Sequence, residues 1–147
     1  MTPVPASALV RFEDLSVGLD IPSLAKVVTR EDIRAYAGAS GDDNPLHQDD
    51  RAAIAAGFPG IIAHGMFTMA HLASCLVRWV GDPSALKRLR AAFRAPVYMG
   101  ETIIAGGRVK SLEPSTRTVL LDVWVTVERG GTTEWPIKRS EAEIRLA

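Results

Sequence analysis

The spacing of apolar residues changes once along the chain, at Gly81. Before this glycine they recur every three or four positions, which is typical of helices. The clearest helical series is Ile62, Met66, Met69, Ala73, Val77 and Val80. After it the spacing is two, and between residues 118 and 128 every odd position is Val or Leu, the alternation of a half-buried strand. The pattern therefore predicts helices first and an antiparallel sheet afterwards.

Three helices are predicted in the first half of the chain. Residues 29–39 begin with Thr29, a good N-cap, and Asp32 follows three positions later. Residues 48–56 form a second helix, which ends before a glycine. Residues 61–80 form the longest helix. Because it is apolar on more than one side, we expect the rest of the protein to surround it.

Strands are predicted for the remaining apolar stretches. They are residues 19–28, 102–110, 118–128 and 142–146 and a basic stretch at 88–94, with a hairpin turn at Gly130 and Gly131. A curved antiparallel sheet can bury a helix that is apolar all round. We therefore predict one α+β domain over residues 1–147, in which the sheet wraps around a long central helix.

The charge balance argues against polyanionic partners. Lys plus Arg and Asp plus Glu number 17 each, so the formal net charge is 0 and no overall field favours nucleic acid or an anionic membrane. The single cysteine, Cys75, excludes an intramolecular disulfide. The first 15 residues lack the basic and apolar segments of a signal peptide. These features together predict a cytoplasmic protein.

Residues 61–80 are long enough to span a bilayer, but three polar side chains lie along one side of the predicted helix. They are His64, His71 and Arg78. A helix buried in a protein core is therefore the better interpretation. The two histidines are seven residues apart, which is not a metal-binding signature, so we expect core histidines with satisfied hydrogen bonds and no metal.

The segment SGDDNPLH, residues 40–47, supports two interpretations. Asn44 and Pro45 are typical of the start of a short helix, which makes the segment a turn. Alternatively, the turn directs Asp42 and His47 into one pocket, where a carboxylate stands beside an imidazole. Asn44 either caps the helix or holds a water molecule there, and the sequence leaves both interpretations open.

Three segments in this order resemble the MaoC family of (R)-specific enoyl-thioester hydratases and dehydratases. They are SGDDNPLH at residues 40–47, IAHGM at 62–66 and FRAPVYMGET at 93–102. The resemblance covers about residues 29–110 and extends to the catalytic subunits of mycobacterial (3R)-hydroxyacyl-carrier-protein dehydratases. It implies a hot-dog fold, with residues 61–80 as the central helix, and catalytic roles for Asp42 and His47.

The implied reaction adds water across the double bond of a trans-2-enoyl thioester, or removes water from an (R)-3-hydroxyacyl thioester. A carboxylate and an imidazole can hold the water and pass its protons. Gly65, at the expected amino end of the central helix, either presents free N–H groups to the enolate oxygen or serves only helix packing. Two alternatives remain, a hot-dog acyl thioesterase and a noncatalytic acyl-binding subunit. No cofactor is implied beyond CoA or an acyl carrier protein as carrier of the thioester.

Arg88, Arg90 and Arg94 lie on one face of the predicted basic strand. They form either a solvated face or a site for the phosphates of CoA or for an acidic carrier protein. A hot-dog domain leaves a sheet edge and a cleft open, so we expect a homodimer or a heterodimer with a second hot-dog subunit. The sequence does not distinguish these dimers, nor CoA from a carrier protein, nor the acyl chain length or the physiological direction.

Overall fold

The computed structural model of the chain describes residues 9–147. Its helices are α1 (Arg30–Ser40), α2 (Asp50–Ala55) and α3 (Gly65–Val80). Its strands are β1 (Leu24–Val27), β2 (Leu86–Arg90), β3 (Thr102–Glu113), β4 (Thr118–Arg129) and β5 (Thr132–Arg145). The element order is the predicted one, a strand and helices followed by an antiparallel meander.

The five strands form one antiparallel sheet in the order β1-β3-β4-β5-β2. The helix α3 packs against the inner face of this sheet, and its Leu72 and Leu76 are fully buried. Alternate residues of β4, such as Val123 and Val125, belong to the same core. Burying one such side chain stabilises a fold by about 1.5–3 kcal/mol, so this contact dominates the core. The sheet curls around α3, which confirms the predicted α+β architecture.

The helix α1 starts where the sequence predicts. Thr29 Oγ1 accepts a hydrogen bond from the Asp32 amide, and the Asp32 carboxylate accepts one from the Thr29 amide, each at 3.1 Å. This reciprocal pair is a capping box. At the other end Gly41 has a φ of 76°, which glycine adopts without strain. Gly41 thereby turns the chain from α1 into the loop that carries Asp42.

The helix α3 is shorter than predicted at its amino end. Residues 61–64 are extended because their backbone pairs with residues 97–98 instead of continuing the helix. The helix begins at Gly65, and His64 is its N-cap. His64 therefore lies outside the helix and does not share a helix face with His71, which corrects the prediction.

Three strand predictions have wrong bounds. The basic strand ends at Arg90 rather than at residue 94, so Arg94 lies outside it. Residues 19–28 contain only the short strand β1 and an isolated bridge at Asp20. β5 is much longer than the predicted 142–146, because two register shifts interrupt the alternation on which that prediction relied. The hairpin turn at Gly130 and Gly131 is confirmed, with φ values of 59° and 79° that suit a two-residue type I′ turn.

Within residues 9–147 no helix has both the length and the apolar character needed to cross a membrane. Residues 1–8 lie outside the described part of the chain, and with them part of the segment that is predicted to lack a signal peptide.

Cys75 is buried in α3, and burial raises the pKa of its thiol to about 11. A thiol held protonated in this way is a poor nucleophile.

Candidate active site

The loop after α1 is folded around its own side chains. Ser40 Oγ accepts a hydrogen bond from the Asp42 amide at 3.1 Å, and Asp42 Oδ1 accepts one from the Asn44 amide at 3.3 Å. Asn44 Oδ1 accepts in turn from the Leu46 amide at 3.1 Å and caps a single 3-10 turn, Pro45–His47. Capping is therefore the interpretation of Asn44 that the structure supports.

His47 is anchored to the extended segment that precedes α3. Its Nδ1 lies 2.7 Å from the carbonyl oxygen of Ile62. Because a carbonyl only accepts hydrogen bonds, Nδ1 must carry a hydrogen. The Ile62 amide donates to the Leu46 carbonyl at 3.1 Å, so both backbone polar groups of Ile62 hold the turn. In a neutral His47 ring the other nitrogen, Nε2, is thus an acceptor.

His64 connects the two residues that the motif predicts to be catalytic. Its side chain is buried, with 1% of the residue exposed, and its ring stacks on the His47 ring at a centroid distance of 3.9 Å and an interplanar angle of 26°. Its Nε2 donates to the main-chain carbonyl of Asp42 at 3.0 Å. His64 therefore fixes the position of the His47 ring relative to the Asp42 backbone.

Asp42, His47 and His64 together form the candidate site. One carboxylate oxygen of Asp42 and one ring nitrogen of each histidine lie within 4.8 Å of one another. Asp42 is exposed and His47 is half-buried, so a small molecule can reach both, whereas His64 lies behind them. A hollow of about 80 Å³ is lined by His47, and it shares Arg30 and Ile61 with a neighbouring hollow of about 250 Å³. The acid and the base therefore face open space.

The same three side chains are close enough to be considered as metal ligands, but their geometry does not favour a metal. A metal ion lies in the plane of the imidazole that binds it. The rings of His47 and His64 are stacked, so their lone pairs lie in two nearly parallel planes. His64 Nδ1 is buried with no hydrogen-bond partner among residues 9–147. The expectation that the protein holds no metal stays a prediction.

Gly65 is the first residue of α3 and lies directly after His64. Within the described residues its amide has no backbone hydrogen-bond partner, as expected in the first turn of a helix. The helix dipole adds positive potential at this end. A β-carbon at Gly65 would lie 3.2 Å from the Phe93 ring, so glycine keeps the space between helix and ring open. A free N–H donor therefore directly follows His64, the residue that bonds to the Asp42 carbonyl and stacks on the His47 ring.

His71 is a core histidine, as the sequence predicts. Its Nε2 donates to the Leu24 carbonyl at 2.8 Å, and burial lowers the pKa of its imidazole. The same prediction is wrong for His64, because one of its ring nitrogens has no partner in the described part of the chain.

The three arginines of the predicted carrier site are exposed and do not join the loop site. Arg88 and Arg90 lie opposite Glu143 and Glu141 in the register of β2 and β5. Arg94 follows the end of β2 and lines a separate groove. Their role in binding a carrier stays a prediction.

Sequence analysis missed the position of His64. The available signal is its place directly before Gly65, inside one of the three family segments. The apolar periodicity of residues 61–80 runs through this point without a break. The apolar spacing carries no information about backbone pairing with a distant segment, here residues 97–98. The helix was therefore predicted to start at residue 61, four residues before its observed start at Gly65.

The curled five-stranded sheet around one helix, with an acid and a histidine at the amino end of that helix, defines a hot-dog-fold protein with a candidate acid–base site. The chain belongs to the MaoC-like domain family, whose model matches residues 21–129. This confirms the family that the three segments resemble.

Two relatives of similar length and one longer protein have related names. The chain is 34% identical over 117 residues to the (R)-specific enoyl-CoA hydratase of Rhodospirillum rubrum, covering 79% of this chain and 81% of the relative. It is 32% identical over 119 residues to the 3-hydroxybutyryl-CoA dehydratase of Methylorubrum extorquens, covering 80% and 75%. A match of 42% over 82 residues to 3-hydroxyacyl-thioester dehydratase X of Mycobacterium tuberculosis covers 55% of this chain and 28% of that protein.

Solved structures share the fold. A MaoC-like dehydratase superposes with a TM-score of 0.85 at 35% identity, over 95% of this chain and 43% of that chain. The (R)-hydratase from A. caviae superposes with a TM-score of 0.81 at 25% identity, over 92% and 99%. These superpositions confirm the hot-dog fold.

Proposed function

We propose that this protein is a hydro-lyase, an (R)-specific hydratase and dehydratase that interconverts trans-2-enoyl and (R)-3-hydroxyacyl thioesters in fatty acid metabolism. The observation that carries the proposal is the pair of Asp42 and His47 facing open space, with His47 Nδ1 bonded to a carbonyl and Nε2 an acceptor. The names of the relatives support it, since they include an enoyl-CoA hydratase and dehydratases of 3-hydroxyacyl thioesters.

In the hydration direction, the Asp42 carboxylate and His47 Nε2 hold one water molecule. Nε2 accepts a proton from this water as the water oxygen forms a bond to C3. The electron pair of the C2–C3 double bond moves towards the thioester carbonyl and gives an enolate. The proton then passes to C2, so that H and OH have added across the double bond. Dehydration is the reverse sequence.

The enolate oxygen needs hydrogen-bond donors that are already in place. The Gly65 amide at the amino end of α3 is the proposed donor, and the lack of a side chain lets the thioester carbonyl approach the backbone. His64 makes no contact with substrate in this scheme and holds Asp42 and His47 in position. Asn44 supports the site by capping the turn that carries His47. The scheme requires no cofactor, and CoA or an acyl carrier protein bears the acyl group.

We also propose that the working unit is a dimer, either of two copies or with a second hot-dog subunit. Met66 and Phe93, at the amino end of α3, are 55% and 50% exposed, and Asp42 is exposed too. Large apolar side chains at the mouth of a site favour cover by another surface. β2 is an edge of the sheet and can pair with another strand.

The proposed location is the cytoplasm, where the single cysteine stays reduced.

One assay tests the activity against both alternatives. The purified protein is incubated with crotonyl-CoA, and the enoyl absorbance and the release of free thiol are followed together. Loss of absorbance without thiol release is the result that this proposal predicts.

The other outcomes contradict it. Thiol release identifies an acyl thioesterase, which attacks the carbonyl rather than C3. If neither signal changes while the substrate binds, the chain is a noncatalytic acyl-binding subunit. Repeating the assay with the acyl group on a carrier protein decides which carrier is used.

A further inference from the structure

A second groove lies on the outer face of the sheet, away from α3. Its volume is about 310 Å³, and it is lined by Arg94, Ala95, Glu134, Trp135, Lys138 and Arg139. Three of these six side chains are cations, and one is a large aromatic. The proposed reaction uses none of them.

An irregularity in β5 places two of the cations side by side. Ile137 pairs with Val125, and Ser140 pairs with Val123. The two residues Lys138 and Arg139 on β5 therefore lie opposite one residue of β4, Trp124. This extra residue is a β-bulge. In a regular strand one of the two basic side chains would point into the core, but both are exposed here while Ile137 and Ser140 are buried. The bulge therefore turns two consecutive cations outward.

The bulge places a non-glycine residue in an unfavourable backbone conformation. Arg139 has a φ of 52°, in the left-handed region that residues other than glycine rarely adopt. A second register shift, between Val125 and Val127, lies opposite Trp135 and Pro136. Trp135 then packs edge-on against Trp124 at a centroid distance of 6.5 Å. Two irregularities thus gather Trp135, Lys138 and Arg139 on one wall.

The cations of this groove are not neutralised by ion pairs within residues 9–147. Arg94, Lys138 and Arg139 form none there, and Lys138 Nζ lies 5.0 Å from the centre of the Trp135 ring. Glu134 is the single acid in the lining. The groove therefore has a surplus of positive charge.

Arg88 and Arg90 are placed differently. Each lies opposite a glutamate of β5 in the strand register, Glu143 and Glu141 respectively, although neither forms an ion pair within residues 9–147 and Glu141 bonds to Lys110. Of the three arginines that the sequence suggests for an anion site, Arg94 alone lies in the groove.

The groove is separated from the candidate active site by one edge of the sheet. Phe93 bridges to Ile137, and its ring approaches Gly65 on the inner side. Arg94 is the next residue, and its amide donates to the Pro136 carbonyl at 2.9 Å. A ligand whose thioester lies at Gly65 needs only to cross this edge at Phe93 to reach the groove.

We propose that the outer groove binds the phosphorylated nucleotide end of coenzyme A, with the pantetheine arm crossing the sheet edge at Phe93. This inference rests on the proposed function. Arg94 and Arg139 offer planar donors that suit phosphate oxygens, and Lys138 adds a point charge. Trp135 offers a face for the adenine ring. The combination of an aromatic wall with clustered cations favours a nucleotide over an acidic carrier protein, which has no base to stack.

The experiment measures nucleotide binding directly. Adenosine 3′,5′-bisphosphate is titrated calorimetrically into the full-length protein and into two double variants, R94Q/K138Q in the groove and R88Q/R90Q on the neighbouring edge strand. Because the groove variant loses two charged hydrogen-bond donors to phosphate, it should bind at least about tenfold more weakly. The edge-strand variant should bind within about twofold of the wild type, a difference well under 1 kcal/mol.

Kinetics provide a second readout. The ratio of KM for crotonyl-CoA to KM for its N-acetylcysteamine thioester, which has no phosphate, should rise by a similar factor in R94Q/K138Q. A larger loss in R88Q/R90Q, or equal losses in both variants, overturns the proposal. So does wild-type protein that does not bind the bisphosphate. Because the titration needs no turnover, it gives its answer even if the hydratase activity itself is absent.

Discussion

At the scale of single residues, the site depends on which ring nitrogens are already engaged. His47 Nδ1 and His64 Nε2 each donate to a backbone carbonyl, which leaves Nε2 as the acceptor of a neutral His47 ring, and one ring nitrogen of each histidine lies within 4.8 Å of an Asp42 carboxylate oxygen. The family resemblance of SGDDNPLH implied catalytic roles for Asp42 and His47, whereas residue type and spacing alone left a simple turn as the alternative. It did not predict His64, because the stacking of two rings depends on how distant backbone segments pair.

Removing either member of the acid–base pair should stop the chemistry without unfolding the protein. We expect D42N and H47A to lower kcat for crotonyl-CoA hydration by a factor on the order of 10²–10⁴, the usual contribution of a general acid or base. Both side chains lie in a polar loop outside the core, so far-UV circular dichroism and the melting temperature should change little. Turnover near the wild-type rate in either variant would remove that residue from the catalytic role.

His64 is expected to act through its neighbours. In H64Q an amide can still donate to the Asp42 carbonyl, but the ring that stacks on His47 is gone. Because small misplacements of catalytic groups are costly, kcat should fall by about 10- to 100-fold with little change in KM.

The matched control for this variant is H71Q, which alters another buried histidine of the same region. His71 contacts β1 rather than the loop. The H71Q variant should lower stability while leaving kcat near the wild-type value. A kcat for H64Q that matches H71Q and the wild type would show that His64 is only a core residue.

At the scale of elements, capping residues and apolar spacing were sufficient to predict helices and strands where the backbone is regular. Thr29 and Asp32 predicted the start of α1, and the valines of β4 predicted a half-buried strand. The start of α3 and the length of β5 depend on pairing between distant segments and on bulges, which interrupt the periods that sequence analysis reads. The parts that were not predictable are therefore those that shape the site and the outer groove.

One ion pair holds the segment before β3 against the end of β4. Arg129 donates two hydrogen bonds to the Glu101 carboxylate, at 2.7 and 2.8 Å, and one to the Pro96 carbonyl, and its guanidinium lies 4.2 Å from the Tyr98 ring centre. Partial burial raises the pKa of Glu101, but the hydrogen bonds from Arg129 and from the Tyr98 amide outweigh this, and the pKa lies below its ordinary value of 4.5. The pair therefore stabilises the folded state only while Glu101 is ionised.

The variant R129A should lower the free energy of unfolding at pH 7 by about 2 kcal/mol, since hydrogen bonds to charged groups are lost in a partly buried site. A carboxyl with a depressed pKa contributes stability above pH 4.5, and this contribution is lost as pH falls through the lowered pKa. The difference in the free energy of unfolding between R129A and the wild type, measured by urea titration, should therefore become smaller below pH 4.5. The control R117A breaks an exposed ion pair with Glu13 and should lower the free energy of unfolding by less than R129A does. A difference that does not change with pH would contradict this account.

At the scale of the whole molecule, the candidate site opens to solvent along one side of a single chain. Sedimentation equilibrium should give the mass of two chains, or of this chain with a second hot-dog subunit when both are present. A charge at the mouth of the site, in F93D, should favour the monomer, and activity should fall as well because the proposed path of the pantetheine arm passes Phe93; the measured mass therefore decides. The control I54D places the same charge on another exposed apolar residue, on α2, and should change neither. A monomer with full activity would contradict the proposed dimer.

The configuration of the product tests the central claim most directly. Crotonyl-CoA is hydrated by the wild-type protein, and the 3-hydroxybutyryl product is resolved by chiral chromatography, with D42N in parallel. If Asp42 and His47 deliver water to one face of the double bond, the wild type should give the (R) isomer alone and D42N almost none. An (S) or racemic product, or equal yields of the (R) isomer from both proteins, would contradict the account.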